Sequence, residues 1–447
     1  MHIVIIGNGI AGTNAARFIR KWSDYRITMI SDETLHPFSR TALMYCYMGH
    51  VRQRDTQLYE AHFWAKNRIE RLLDRVEQVD TTSKTLLLRQ SGALHYDKLI
   101  IATGSTPNRP DWPGQELKGV QGLYHLQDLE GMEQLSQGLQ HAVVVGGGLI
   151  GIEMAEMFLS RNIPVSMLVR EHSYWGNVLP GPESAMINRH IIEHGIDLRL
   201  GTQLKAIEGD KQGRVHSVLT QNDKRIACQF VGLTTGVSPN INFLRRSGIE
   251  LNKGVLVDEQ LRSSAPDVFA IGDCAELRRP ASGRRPIEAV WYTGRMMGQT
   301  VAATICGQET MYKPGIWFNS AKFFDIEYQV YGSVPAINPA GISSLYWEHP
   351  DGKKSIRINY ESESLAVTGF NLMGIRYRHE VCEKWILEGR SIEAVLQQLS
   401  LANFDPEFYP KHEQELVSLY NRLEQRNVQL QTRRSLTMVQ CYLKSKV

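Results

Sequence analysis

Two glycine-rich turns are the residues of this 447-residue chain best suited to chemistry. The first, Gly7-Asn8-Gly9-Ile10-Ala11-Gly12, follows the β-branched run Ile3-Val4-Ile5-Ile6 and opens a helix-like stretch over residues 13–19. Gly7 permits a tight turn, Gly9 lets the backbone approach a pyrophosphate, and Gly12 lets the helix pack close to the strand. The N-terminus of that helix offers free N–H groups and a partial positive charge to the phosphates. Asp32 lies twenty residues past Gly12, at the end of a second strand-like run, where it can accept hydrogen bonds from a ribose. The pattern recurs about 140 residues later. Ala142-Val143-Val144-Val145 leads into Gly146-Gly147-Gly148-Leu149-Ile150-Gly151, a helical stretch follows, and the next strand ends at Val169-Arg170-Glu171. An arginine at such a strand end suits the 2′-phosphate of NADP and an acid suits the 2′-hydroxyl of NAD. Arg170 and Glu171 supply both, so the nucleotide is written NAD(P)H and a pocket that takes either form is expected.

The elements that must position these turns are strand–turn–helix units, which implies an α/β fold with two nested Rossmann-like dinucleotide-binding domains. Beyond residue 310 the pattern changes to short alternating runs at residues 322–330, 344–348, 355–360 and 365–370, with turns at Asp351-Gly352 and around 361–364. These predict an antiparallel sheet. From about Arg378 the pattern is helical, with a charged amphipathic stretch over 410–431, so a C-terminal α+β domain with a helical tail is expected. Fifty Lys and Arg against 47 Asp and Glu leave a net charge of +3, too little to argue for nucleic acid or a membrane surface. No apolar run is long enough for a membrane span, and the chain opens on a strand rather than a leader, so a cytoplasmic protein is expected. The six cysteines, Cys46, Cys228, Cys274, Cys306, Cys382 and Cys441, form no CxxC, which argues against a zinc ribbon, an iron–sulfur cluster or a vicinal redox disulfide. The 14 histidines are read as offering no metal-spaced pair, and no metal centre is expected.

A third segment joins the two turns. Ser264-Ala265-Pro266-Asp267-Val268-Phe269-Ala270-Ile271-Gly272-Asp273 is similar to the second flavin fingerprint of the glutathione-reductase-like flavoproteins, the FAD-dependent pyridine nucleotide-disulfide oxidoreductases. Tyr96-Asp97-Lys98-Leu99-Ile100-Ile101-Ala102-Thr103-Gly104 resembles the strand by which that family leaves its FAD domain. The resemblance covers residues 1 to about 335. It implies an FAD domain at 1–114 and 248–310, an NAD(P)H domain at 115–247 between the two parts, and a C-terminal interface domain at 311–447. Ser31-Asp32-Glu33-Thr34-Leu35-His36-Pro37-Phe38-Ser39-Arg40 is similar to the rubredoxin reductase and nitrite reductase branch, in which an acid binds the adenosine ribose and an arginine, here Arg40, sits near the FAD phosphates. That branch often carries a lysine near the flavin, where this chain has Tyr45.

The resemblance also implies roles for single residues. Glu153 would reach the nicotinamide carboxamide, Trp291 would border the flavin, and Asp273 would hold its ribityl and phosphate region. Cys46 stands near the place where coenzyme A disulfide reductases keep a redox thiol, but its flanks Tyr45 and Tyr47 differ, and an inert, buried role is expected. Arg278, Arg279, Arg284 and Arg285 are expected in a solvated loop, with a docking patch for an acidic protein as the alternative. The expected function is FAD-dependent transfer of electrons from NAD(P)H to a small redox protein of the rubredoxin or ferredoxin type. The alternatives are a small-molecule acceptor (as in an oxidase, a peroxidase or a coenzyme A disulfide reductase) and a flavin-based redox sensor. A homodimer is among the assemblies the resemblance allows.

Overall fold

A computed structural model describes residues 1–405, 407–408 and 410–431. The part of the expected tail beyond residue 431, with Cys441, lies outside the described residues.

The β-branched runs become buried central strands. His2–Ile6 sits between Arg26–Ser31 and Lys98–Ile101 in a five-stranded sheet completed by Ile69–Leu73 and Val268–Ala270, with every pairing parallel. Ile3, Val4 and Ile5 have no exposed surface, as expected of a parallel sheet covered on both faces. The second unit repeats the plan. Ala142–Val145 lies between Val165–Leu168 and Phe230–Leu233, flanked by Asp197–Arg199 and Val120–Gln121, again all parallel.

The third unit is an antiparallel sheet in the order Phe318–Phe323, Ile326–Gly332, Val367–Met373, Ser355–Glu361, Ile342–Glu348. Helices His379–Leu387, Ile392–Gln397 and Glu413–Glu424 follow it. The stretch 322–330, expected as one strand, is instead a hairpin: Phe323 pairs with Ile326 across the turn Phe324-Asp325. The turn carries no glycine or proline signal, and Phe324 adopts a φ of 55°, which bulky residues rarely do.

Helix Trp291–Ile305 crosses helix Ile10–Trp22 at small residues. A Cβ on Gly298 would lie 2.6 Å from the Ala11 carbonyl oxygen and 3.0 Å from the Ala15 nitrogen. This close crossing supports the first glycine turn from behind. The third sheet is fastened to the second unit by a buried ion pair. Arg357 donates to both carboxylate oxygens of Glu183, at 2.6 and 2.8 Å, and Asn371 donates to the same carboxylate at 3.3 Å. Among the described residues no helix is long and apolar enough to cross a membrane.

Candidate flavin and nucleotide site

Both glycine turns are built alike. Gly7 has a φ of 110° and a Cβ there would fall 2.1 Å from the Ala102 carbonyl oxygen; Gly146 has a φ of 133° and would meet the Thr234 carbonyl oxygen at 2.3 Å. Only glycine fits either place. The last glycine of each motif closes the turn on the first: a Cβ on Gly12 would lie 2.1 Å from the Gly7 oxygen, and one on Gly151 would lie 2.7 Å from the Gly146 oxygen. The middle glycines differ, because a Cβ on Gly9 or Gly148 meets nothing within 4 Å. Each is the N-cap of its helix, Ile10–Trp22 or Leu149–Leu159, and neither helix has a side-chain cap or an acid in its first turn. The leading N–H groups are therefore left for an outside acceptor, and a phosphate satisfies them.

A cavity of about 620 Å³ opens in front of the first turn. Gly7, Gly9, Ala11, Asp32, Arg40, Ala102, Thr103, Gly104, Gly272 and Asp273 line it, together with Ile150, Glu153 and Trp291. Segments far apart in sequence thus converge on one space. The Ser105 hydroxyl donates to Asp273 at 2.9 Å, and burial pushes the Asp273 carboxyl above its usual range. Thr103 donates to the Asn240 carbonyl at 2.8 Å, which anchors the strand exit that carries Ala102 and Gly104.

The two adjacent acids have different fates. Asp32 is exposed on the cavity wall and has no ion-pair or hydrogen-bond partner among the described residues. Glu33, singled out only as part of a longer stretch, is bound at 2.6 Å by Arg40 and at 2.8 Å by the Leu126 amide. Burial pushes its carboxyl up, but His125, Arg40 and that amide outweigh burial and hold it down at about 2. The Arg40 guanidinium also donates to the Tyr124 carbonyl and lies 4.4 Å from the centre of the Tyr124 ring. Arg40 is thus held at the wall by Glu33 from its own stretch and by Tyr124, 84 residues on, which no motif announces.

Glu153 projects from the second glycine helix into the same cavity, and burial with Glu156 nearby pushes its carboxyl up to about 7. Trp291, 37% exposed, begins the helix opposite. Gly146, Gly148, Gly151, Arg170 and Glu171 do not line this cavity and stand together at the second sheet. Arg170 is exposed and pairs with its neighbour Glu171 at 2.8 Å. Leu43 and Met44 line the cavity, while Tyr45 and Cys46 do not. Burial raises the Cys46 thiol, with Asp55 and Glu133 adding to the effect, which disfavours the reactive thiolate.

Two expectations need correction. Arg284 is not solvated: its side chain is 5% exposed, holds Glu288 at 2.5 Å, and donates to the carbonyls of Pro314, Gly315 and Ile316. It ties the cavity-lining segment before Trp291 to the third unit. Arg278, Arg279 and Arg285 are exposed, as expected, and Arg278 pairs with Glu250. The sequence also does contain a metal-spaced histidine pair, His190-Ile191-Ile192-Glu193-His194.

The sequence pattern of the pyridine nucleotide-disulphide oxidoreductases matches residues 1–303. Rubredoxin-NAD(+) reductase of Pseudomonas putida is 27% identical over 314 residues, 69% of this chain and 81% of that protein. The ferredoxin–NAD(+) reductase component of the biphenyl dioxygenase system of Paraburkholderia xenovorans (strain LB400) is 30% identical over 304 residues, 68% of this chain and 74% of that protein. The crystal structure of an NAD-dependent persulfide reductase from A. fulgidus aligns with 95% of this chain and 83% of its own, at 24% identity and a TM-score of 0.84. That likeness extends the shared fold through the third unit. With its twin glycine turns and the family pattern over residues 1–303, the chain belongs to the pyridine nucleotide-disulphide oxidoreductase family and is an oxidoreductase of FAD and NAD(P)H.

Proposed function

We propose that this protein takes electrons from NAD(P)H through FAD and passes them singly to a small redox protein of the rubredoxin or ferredoxin type. The observation that carries the reading is the cavity itself. The first glycine turn, Asp273 and the second glycine helix meet in it, and no cysteine lines it among the described residues. The two reductases named above, which act with rubredoxin and ferredoxin, support that class of acceptor.

The residues fit FAD. The bare N-terminus at Gly9 would receive the pyrophosphate, Asp32 the adenosine ribose, and Asp273 the ribityl region, with Arg40 beside the phosphates. Bound FAD supplies the two-electron to one-electron chemistry; the protein supplies alignment and exclusion of water. Glu153 can hold a proton near neutral pH and can orient the nicotinamide amide. Trp291 shields the opposite mouth. The bare N-terminus at Gly148 would receive the NAD(P)H phosphates, with Arg170 and Glu171 at the far end of the nucleotide.

The division into 1–114 with 248–310, 115–247 and 311–447 belongs to the same reading. It is supported by Val268–Ala270 joining the first sheet next to Lys98–Ile101. A cytoplasmic, reduced setting is also part of the proposal, and the free Cys46, Cys228, Cys274, Cys306 and Cys382 suit it. A homodimer is checked by sedimentation.

The test is a panel of acceptors. The purified protein is expected to be yellow, with one FAD per chain, and to oxidise NAD(P)H rapidly with a rubredoxin or a ferredoxin. Rapid turnover with oxygen, peroxide or a disulfide, and none with either carrier, would replace the proposal by a small-molecule reductase.

A further inference from the structure

We propose that His190, His194 and Asp325 form a binding site for a divalent transition-metal ion of the zinc class, between the nucleotide unit and the third sheet. His190 lies in helix Gly181–Glu193, and His194 caps that helix one turn later. The spacing i, i+4 places both imidazoles on one helix face, the arrangement used by paired metal-binding histidines. Asp325 comes from the hairpin turn of the other unit. One ligand atom from each of the three residues can be chosen so that all lie within 4.8 Å of one another.

The state of the histidines is a second, independent indication. The His190 side chain is 2% exposed, and neither ring nitrogen makes a hydrogen bond. Its Nε2 lies 2.5 Å from Asp325 Oδ1 without the angles of a hydrogen bond. A buried polar group without a hydrogen bond is costly, and a metal ion satisfies such a nitrogen. His194 shares its Nδ1 with the His190 carbonyl oxygen at 2.9 Å. If Nδ1 carries the proton, Nε2 is left as the free donor atom, and it faces Asp325 Oδ1 at 3.7 Å. His190 Nδ1 lies 3.7 Å from a Glu193 carboxylate oxygen. Oxygen atoms behind both imidazoles are the usual outer support of metal-ligating histidines.

The turn also holds the ligands in place. The Phe324 ring stacks on His194 at 4.1 Å and 11°. Lys353 sits 3.5 Å from the second Asp325 oxygen and can remain there as an outer partner. Two neutral imidazoles and a carboxylate, with Asp325 59% exposed, make a three-ligand set with room for water. That donor set suits zinc, at about 2.0–2.2 Å from nitrogen and oxygen. His190 and Asp325 would part by a fraction of an ångström to seat it.

The test uses the full-length flavoprotein, dialysed against chelator and then equilibrated with zinc, with bound metal counted per chain. Wild type and the surface control His62→Ala are expected to hold one zinc per chain. His194→Ala and Asp325→Ala are expected to bind at least tenfold more weakly while keeping their flavin. Zinc is expected to raise the melting temperature of wild type and to leave those two variants unmoved. Absence of stoichiometric zinc in wild type would overturn the proposal, as would equal binding by all four proteins.

Discussion

Glu153 is the side chain whose environment says most about its use. Its carboxyl, pushed up to about 7 by burial, is protonated more readily in the folded protein than in the unfolded chain. A raised carboxyl contributes stability that is complete below its unfolded value near 4.5 and is lost as pH rises toward 7. Glu153→Gln removes that loss. The variant is expected to gain on wild type by about 1–3 kcal/mol between pH 4.5 and 8, read as the difference of their thermal unfolding curves. An unchanged difference across that range would show that Glu153 ionises normally. Arg170 and Glu171 illustrate the opposite case, an exposed pair that neutralises itself. A pocket that takes both nucleotides is expected, with a preference below about a thousandfold, or about 4 kcal/mol. Arg170→Ala is expected to raise the NADPH Michaelis constant about tenfold and leave NADH nearly unchanged, because a charge-assisted bond is worth about 1.5–3 kcal/mol and this one is exposed. Steady-state kinetics with each nucleotide decides it.

At the scale of elements, two glycines on crossing helices do different work. Gly9 faces open space, so Gly9→Val is expected to keep the fold and lose the flavin. Gly298 abuts the backbone of Ala11 and Ala15, so Gly298→Val must push the helices apart, at a cost of about 1–3 kcal/mol. Flavin absorbance and melting temperature, measured on both, separate a binding role from a packing role. If Gly9→Val retained full flavin, the phosphate cradle would be misplaced. These glycine units were legible because strand, turn and helix lie within one short stretch, where local spacing carries the geometry. The cavity residues Ala102, Thr103, Gly104, Gly272 and Asp273 were legible through their motif context. The contacts of Glu33 with His125 and Leu126, and of Arg40 with Tyr124, were not, because they span 84 positions or more. The hairpin at Phe324-Asp325 escaped for another reason: the turn lacks glycine and proline, and its alternating flanks read as one strand. Arg284 looked solvated because it sits among Pro, Gly and Ser, while its partners Glu288 and the carbonyls of Pro314, Gly315 and Ile316 lie further on.

For the whole molecule, the arrangement is three units, each built on a five-stranded sheet. Lys322 of the third unit meets Glu156, on the helix that bears Glu153, at 3.0 Å, and the buried Arg357–Glu183 pair ties the same two units together. Buried pairs of this kind add little net stability but are costly to break, so they fix how the units sit. The sole thiol expected near the flavin, Cys46, lies off the cavity. Under the proposed function, the path is expected to run from nicotinamide to flavin to an outside carrier without a thiol relay. Stopped-flow mixing of the Cys46→Ser flavoprotein with NAD(P)H and then with a rubredoxin or ferredoxin tests this most directly. Bleaching of the flavin band and its return with carrier, each within a few fold of the wild-type rate, is the predicted result. Normal flavin content with reduced flavin that no longer discharges would contradict the account and assign the electrons to Cys46.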